Sequence, residues 1–288
     1  MSAICENWTQ WLKTTRFAGQ TPEMIEQTTR WLQAVRDVIL AYADIKQNDV
    51  VIDIGCGTGL LAFRALELQE CKGKVIFSDM FQDCLDDCKS ILDSSGVTEG
   101  YELLQSPVEN INLPDGYVNK AVMRSVLVHV VNKQPAINEI HRILKTGGKF
   151  CAFEPVIRSN TRYWQILDSQ YIDDFEDFKR VENELMSNPA DSLCNFDENT
   201  LKINLEIAGF SDPDIKLQEV KSDYVVQPNM VKEWFITPPS PTQPSIKERF
   251  LKYFDETKVE NYISQVEKYL TGRSISLKTN AVFINATK

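Results

Sequence analysis

The stretch "VVIDIGCGTGLL" (residues 50–61) decides the fold. Its first five residues form a mostly apolar, β-branched run, which is typical of a strand covered on both faces. Three glycines spaced two apart follow, and "GLLAFRALEL" (59–68) continues with the pattern of a helix. A glycine-rich turn between a buried strand and a helix usually holds a nucleotide or a nucleotide-like cofactor. The neighbouring residues must therefore identify the cofactor.

Strands and helices alternate on both sides of this turn. A long amphipathic helix is predicted from the Thr21 cap to about Ile45, and further helices at 81–92 and 135–145, the latter ended by Gly147 and Gly148. Strands are predicted at 50–54, 74–80, 101–106, 120–127, 149–155, 214–226 and 274–288. The alternation predicts an α/β fold, with a doubly wound, mostly parallel, seven-stranded Rossmann-like sheet and helical cap insertions.

The chain is predicted to consist of five segments. Residues 1–157 would hold N-terminal helices and the cofactor-binding core, and 158–200 a helical cap insertion in which "YWQILDSQYIDDFEDF" (163–178) has the pattern of a helix. The core would resume at 201–227 and end with the strand at 273–288. A second helical insertion, 228–272, contains the proline-rich "PPSPTQP" (238–244), which predicts a stiff loop.

Composition narrows the function classes. The net charge of −10 disfavours nucleic acid as a partner, because nucleic-acid binders usually carry a basic patch, and it favours a small molecule. No signal-like apolar core and no run approaching the ~20 apolar residues of a membrane span is found, so we expect a soluble, cytoplasmic protein with no membrane association. The seven cysteines are expected to be reduced. The oligomeric state cannot be inferred.

The glycine spacing argues against a dinucleotide. The dinucleotide fingerprint requires glycines at positions 1, 3 and 6, whereas here they stand at 1, 3 and 5 and Leu60 occupies the sixth position. Asp53, at the end of the strand, would repel a diphosphate but attract an ammonium group. Asp79 follows about 20 residues after Gly59 at the end of the second strand, where a carboxylate can accept hydrogen bonds from ribose hydroxyls. A merely structural turn is the alternative.

Four motifs in order carry a family resemblance: "VVIDIGCGTG", "SDM", "MRSVLVHV" and "EIHRILKTGGKFCAFEP". Together they resemble class I S-adenosylmethionine-dependent methyltransferases over roughly residues 45–157. The resemblance implies S-adenosylmethionine as the cofactor. It also implies that Gly55, Gly57 and Gly59 approach the methionine portion and that Asp53 helps to fix it. By the same resemblance, Asp79 would hold the ribose and Met80 would pack on adenine.

Two positions depart from the family pattern. Pro107 stands where many members have an Asp that contacts the adenine amino group, so that contact is lost, although the backbone amide of Val108 is still available. Thr146 replaces the usual proline of the turn before the fifth strand.

The end of the fourth strand supplies further candidates. Arg124 and Ser125 are expected to line the cofactor site. His129 follows at the edge of the sheet where open α/β folds bind ligands, and its imidazole, with a pKa near 6.5, could act as a general base. The alternative is a structural histidine bonded to a backbone carbonyl. No metal site is predicted, because Cys84 and Cys88 form one pair without a second.

Aromatic residues of the insertions are candidates for the acceptor pocket, although such residues more often form the cap's own core. These candidates are Tyr163, Trp164, Trp234 and Phe235. We expect both insertions to form one cap over the carboxyl edge of the sheet, with 234–244 bordering the pocket. The sequence thus predicts methyl transfer to an O, N, S or C nucleophile of a small molecule. The alternatives are a methyltransferase acting on RNA or protein and a non-catalytic regulatory protein that binds S-adenosylmethionine.

Overall fold

A computed structural model describes residues 8–288 of the chain. The helices are α1 (Trp8–Lys13), α2 (Pro22–Ala43), α3 (Leu60–Gln69), α4 (Gln82–Ser94), α5 (Lys133–Ile143), α6 (Phe175–Met186), α7 (Glu198–Ala208), α8 (Met230–Ile236), α9 (Ile246–Phe250) and α10 (Glu256–Leu270). The strands are β1 (Val50–Ile54), β2 (Lys74–Asp79), β3 (Tyr101–Gln105), β4 (Val118–Arg124), β5 (Leu144–Pro155), β6 (Ser211–Val225) and β7 (Ser274–Thr287).

The seven strands form one sheet in the order β3-β2-β1-β4-β5-β7-β6. Strands β1 to β5 pair in parallel, and β7 runs antiparallel to both β5 and β6. The predicted fold class is therefore confirmed. Ile54 of β1 lies opposite Ser78 of β2 and Met123 of β4. This register brings the residues that follow, including Asp79 and Arg124, to the same carboxyl edge of the sheet.

Apolar cores cover both faces of the sheet. Successive strand residues point to opposite faces, so Ile52 packs in one core and Val51 in the other. Helices α5 and α7 cover the first face, and α2, α3 and α4 cover the second. Because helices cover both faces of the sheet, the carboxyl edge, where β1, β2 and β4 end, is the position that remains open for a site.

Local sequence signals explain several helix ends. Thr21 accepts a hydrogen bond from Met24 N–H at the start of α2, as predicted from its cap, and Gly209 ends α7 with a φ of 99°. The predicted helix at 135–145 was wrong at its end. It stops at Ile143, and the two glycines expected to end it lie inside β5 instead.

Two other predictions are corrected. The fourth strand ends at Arg124, and a 3₁₀ turn, Leu127–His129, replaces its last predicted residues. The helix predicted over 163–178 consists of two 3₁₀ turns, Tyr163–Ile166 and Ser169–Tyr171, before α6 begins at Phe175. The Glu182 carboxylate binds the Tyr163 and Trp164 N–H groups, and Asp168 binds Gln170 N–H, so side chains hold these turns in a non-helical path.

The two insertions share one apolar core. Phe178 of α6 stacks on Tyr262 of α10 with ring centroids 3.8 Å apart, and Phe235 of α8 packs in the same cluster. We call this unit, residues 158–200 with 228–272, the cap. Partly buried residues of β6 and β7, Tyr224 and Leu277, pack against its core. The division of the chain into five segments stays a prediction.

Helix α1 and the turn after it cross from the sheet edge to the cap. Thr9 N–H donates to Asp83 of α4 (3.0 Å), and Trp11 Nε1 donates to the Pro238 carbonyl of the cap (3.1 Å). The N-terminal segment, by which we mean residues 8–20, therefore touches both the core and the cap.

Six of the seven cysteines lie in the described part of the chain, and their thiols are free. Cys5 lies outside it. Across residues 8–288, every helix is too short or too polar to span a bilayer.

Candidate functional site

The turn after β1 depends on its glycines. Gly55, Gly57 and Gly59 all have positive φ angles, of 66°, 53° and 80°. A Cβ atom at Gly55 would lie 2.4 Å from a methyl of Val126, and one at Gly59 would lie 2.4 Å from the Phe63 ring. Any larger residue would therefore both strain the backbone and collide with a neighbour. At its three glycines the turn therefore presents backbone without side chains at the carboxyl edge.

Asp79 holds this turn from the end of β2. Its Oδ2 accepts a hydrogen bond from Gly57 N–H (2.9 Å), and its Oδ1 accepts one from Phe81 N–H (3.0 Å). The side chain is 7% exposed, and burial raises its pKa. A carboxylate can accept about four hydrogen bonds, so Asp79 keeps acceptor capacity for a ligand after it has bound the two amides.

Asp53 lies deeper than the sequence suggested. It is 1% exposed, its Oδ2 accepts a hydrogen bond from Ala62 N–H (3.0 Å) at the start of α3, and burial raises its pKa to about 8. In this position Asp53 ties β1 to the helix that follows the glycine turn. Direct contact of Asp53 with a cofactor stays a prediction.

Met80 and Val108 flank the edge beyond Asp79. Met80 is 56% exposed, and its carbonyl is held by the Gln105 amide (3.2 Å). Val108 is buried in the loop after β3, and within residues 8–288 its backbone N–H has no hydrogen-bond partner. An exposed apolar side chain next to a free amide suits the face and edge of a purine ring.

The turn after β4 is fixed by Glu154, a residue that the sequence analysis missed. Glu154 is fully buried at the end of β5, and its carboxylate accepts three backbone hydrogen bonds, from Val126 (2.8 Å), Leu127 (3.1 Å) and Val128 (3.0 Å). Burial raises its pKa to about 7. The sequence signal that could have identified Glu154 is an acid at the end of a buried strand. Glu154 acts by positioning the turn that carries His129.

Arg124 and Ser125 stand at the start of that turn. Ser125 has a φ of 57°, a left-handed conformation that is uncommon for a residue other than glycine. Arg124 Nη1 lies 3.3 Å from Ser125 Oγ. Burial lowers the pKa of Arg124, opposed by the carboxylates of Glu154 and Asp53. Both residues lie at the carboxyl edge, and their lining of the cofactor site stays a prediction.

His129 lies beneath the N-terminal segment. The Trp8 indole packs edge-on against it, with ring centroids 5.3 Å apart. Its Nδ1 is buried without a hydrogen-bond partner in residues 8–288, so the carbonyl bond of the structural alternative is not made there. Burial, followed by the charges of Lys133 and Arg124, lowers its pKa from 6.5 to about 4. The imidazole is therefore neutral at physiological pH.

Helix α1 covers the cofactor edge, which the sequence analysis did not foresee. Trp8 packs on Phe81, with ring centroids 5.4 Å apart. Leu12 lies against the glycine turn, because a Cβ at Gly57 would meet its Cδ1 at 2.9 Å. The spacing of Trp8, Trp11 and Leu12 is that of one helical face, and this pattern could have revealed the element.

A cavity of about 380 Å³ lies between the N-terminal segment and the cap. Its walls carry aromatic, apolar and charged side chains, chief among them Trp11, Arg16, Met24, Tyr224, Glu233, Trp234 and Pro238. Of the four predicted pocket residues, Trp234 lines this cavity. Tyr163 stacks behind it, with ring centroids 5.9 Å apart, whereas Phe235 is fully buried in the cap core and Trp164 Nε1 binds Asn183.

The strand order, the glycine turn after β1 and the acid at the end of β2 define the class I S-adenosylmethionine-dependent methyltransferase fold. The site also fits that cofactor. The glycine turn offers backbone without side chains to the amino-acid portion, Asp79 retains acceptor capacity for ribose hydroxyls, and Met80 with the Val108 amide suits adenine.

Comparisons with known proteins agree. A family model described as a methyltransferase domain matches residues 45–222, and the chain belongs to this family of S-adenosylmethionine-dependent methyltransferases. It is 28% identical over 185 residues to the ubiquinone/menaquinone biosynthesis C-methyltransferase UbiE of Francisella tularensis subsp. holarctica, a match that covers 60% of this chain and 71% of that protein.

Two solved structures share the fold. The YcgJ protein from Bacillus subtilis aligns with a TM-score of 0.56 and 16% identity, over 88% of this chain and 98% of that chain. The phosphoethanolamine N-methyltransferase 2 of Haemonchus contortus, solved with phosphomonomethylethanolamine and S-adenosylhomocysteine, aligns with a TM-score of 0.52 and 15% identity, over 88% of this chain and 52% of that chain.

Replacing Asp79 with Asn or Ala should weaken cofactor binding. Each charge-assisted hydrogen bond to the ribose is worth about 1.5–3 kcal/mol, so the Kd for S-adenosylhomocysteine should rise at least about tenfold in calorimetry. Asp86→Ala, on the exposed face of α4, is the matched control and should bind like the wild type. An unchanged Kd in a folded Asp79→Asn variant would remove Asp79 from the ribose site.

Replacing Glu154 with Ala should destabilise the turn that carries His129. The substitution leaves buried N–H groups without an acceptor, and each such group costs about 1–3 kcal/mol. We expect the free energy of unfolding, measured with urea, to fall by more than about 2 kcal/mol. Glu219→Ala, on β6 at the surface, serves as the control. Equal losses in both variants would show that the turn does not depend on Glu154.

Proposed function

We propose that this methyltransferase acts on a small organic molecule, which binds between the N-terminal segment and the cap. The observation that carries the proposal is the cavity of about 380 Å³, which is lined by Trp11 of α1, the helix whose Leu12 lies against the glycine turn. Sites for small molecules commonly measure about 300–1,000 Å³ and combine apolar walls with a few polar groups. Trp11 and Trp234 offer such walls, and Arg16 and Glu233 offer the polar groups.

The names of the relatives support the same substrate class. One is a C-methyltransferase of ubiquinone/menaquinone biosynthesis, and another was solved with phosphomonomethylethanolamine, so both are associated with small molecules. The accepting atom, whether O, N, S or C, is left open by this proposal. The net charge of −10 disfavours RNA as the acceptor.

The chain's own residues would act mainly by holding and aligning the reactants. When bound, S-adenosylmethionine supplies a methyl group whose sulfonium is already reactive, so alignment provides much of the rate. The glycine turn and Asp79 would fix the cofactor, and the cavity would fix the acceptor. Helix α1, which lies over the glycine turn, would exclude water from the space between them.

His129 is the candidate general base. It is neutral at physiological pH and its Nδ1 has no hydrogen-bond partner within residues 8–288, so a lone pair is available for a proton from the acceptor, although the lowered pKa makes it a weaker base than a free imidazole. It follows the turn that Glu154 holds, at the carboxyl edge. A base is required only where the acceptor atom carries a proton of high pKa.

Transfer of label from S-adenosylmethionine tests the substrate class. The protein is incubated with labelled cofactor and with small-molecule, RNA and protein fractions of a cell extract. We expect label in the small-molecule fraction and no transfer by a variant carrying both Asp79→Ala and Gly57→Val. Label confined to RNA or protein would overturn the proposal, and cofactor binding without any transfer would favour a regulatory protein.

His129→Gln should lower turnover by about 10²–10⁴-fold without loss of cofactor affinity, because glutamine cannot accept the proton. It should also change the pH dependence of stability. The folded state disfavours protonated His129, so stability present above pH 6.5 is lost as the pH falls toward 4, by at most about 1.4 kcal/mol per pH unit.

Urea unfolding of both proteins between pH 7 and pH 4 measures this difference. His129→Gln should lose less stability than the wild type over that range. Unaltered turnover together with the altered pH dependence would assign His129 a structural role.

A further inference from the structure

Within residues 8–288, one arginine that lines the cavity has no ion-pair partner. Arg16 follows α1 on the turn Thr15–Phe17, its guanidinium lies 4.6 Å over the Phe17 ring, and it lines the cavity. Its Nε is buried with no hydrogen-bond partner within residues 8–288, and Arg16 forms no salt bridge in that part of the chain. A buried donor on a charged group without an acceptor is costly, which points to an acceptor that a ligand supplies.

A second arginine lies close enough to Arg16 for the two charges to interact. Arg124, at the end of β4, is near enough that its charge, after the larger effect of burial, contributes to lowering the pKa of Arg16 to about 10. Arg16 therefore stays charged at neutral pH. Two guanidinium groups that repel one another are stabilised by an anion placed between or beside them.

The other charged group in the lining does not neutralise Arg16. Glu233 belongs to α8 of the cap, and the carboxylate already accepts a hydrogen bond from Thr237 Oγ1 (3.3 Å). The two side chains line the same cavity without forming an ion pair with each other. Of these two charged groups, the Arg16 guanidinium is the one that lacks a partner within residues 8–288.

We propose that the methyl acceptor carries an anionic group, a carboxylate or a phosphate, and that Arg16 binds it in this cavity with support from the charge of Arg124. The inference rests on the proposed function. The anion is assigned to the acceptor because the cavity is bounded by the N-terminal segment and the cap, and its described lining includes none of Gly55, Gly57, Gly59, Asp79 or Met80. The indoles of Trp11 and Trp234 would pack on the body of the acceptor.

Matched aromatic probes test the charge preference in the full chain, saturated with S-adenosylhomocysteine. Phenylacetate, neutral phenylacetamide and cationic phenethylammonium are titrated while the indole NMR signals of Trp11 and Trp234 are followed, assigned with Trp→Phe variants. We expect phenylacetate to bind at least about tenfold more tightly than phenylacetamide, the ratio of one charge-assisted hydrogen bond. Equal affinities, or a preference for the cation through Glu233, would overturn the proposal.

Variants of Arg16 locate the preference. Arg16→Gln should abolish it, and Arg16→Lys, which keeps the charge but loses the planar donors, should retain part of it. Arg36→Gln is the control, because Arg36 lies on α2 and pairs with Asp37 (2.8 Å). A preference that survives in Arg16→Gln would overturn the assignment. If Arg16→Gln has a lowered melting temperature, the test rests on the ratio of phenylacetate to phenylacetamide affinity in Arg16→Lys and in the wild type.

A second measurement separates the acceptor's anion from the carboxylate of the cofactor. S-adenosylhomocysteine carries that carboxylate, and 5′-methylthioadenosine lacks it. Under the proposal, Arg16→Gln binds both compounds as the wild type does. Weaker binding of S-adenosylhomocysteine alone would assign Arg16 to the cofactor and overturn the proposal. If the wild type bound neither compound, the proposed function itself would fail, whereas binding of both without a charge preference would remove only this inference.

Discussion

The site depends on one carboxylate, that of Asp79, which binds the segments that follow two neighbouring strands. Asp79 ends β2, yet its Oδ2 receives the Gly57 N–H from the turn after β1, and its Oδ1 receives the Phe81 N–H at the start of α4. A glycine turn with three positive φ angles has little intrinsic stability, since glycine loses the most backbone entropy on folding. The hydrogen bonds of Asp79 provide an anchor for it, and they also leave the carboxylate close to where a ribose would lie.

A second buried carboxylate organises the other half of the edge in the same way. Glu154 accepts three amides of the turn after β4, so the geometry of His129 is set from β5 rather than from its own strand. Burial raises the pKa of both acids, while the backbone N–H groups lower it. In each case backbone N–H groups are the main interactions that favour the ionised form, and the charge of Lys133 adds a smaller contribution at Glu154.

The sheet could be predicted from the sequence because each of its signals is local. The β-branched run 50–54, the glycines and Asp79 lie on consecutive elements, and the parallel register alone brings their ends together. The cap could be predicted only in outline. Its turns at Tyr163 and Trp164 are held by Glu182, 19 and 18 residues away, and no local pattern encodes a contact with so distant a residue.

The least predictable feature, helix α1, is the one that connects the two parts of the site. It has six residues, too few to be stable alone, so its position is set by what it contacts: the glycine turn through Leu12, Phe81 and His129 through Trp8, and the cap through Trp11. Because the same short helix lies over the glycine turn and lines the cavity, its packing determines how the cofactor edge and the acceptor cavity lie relative to each other.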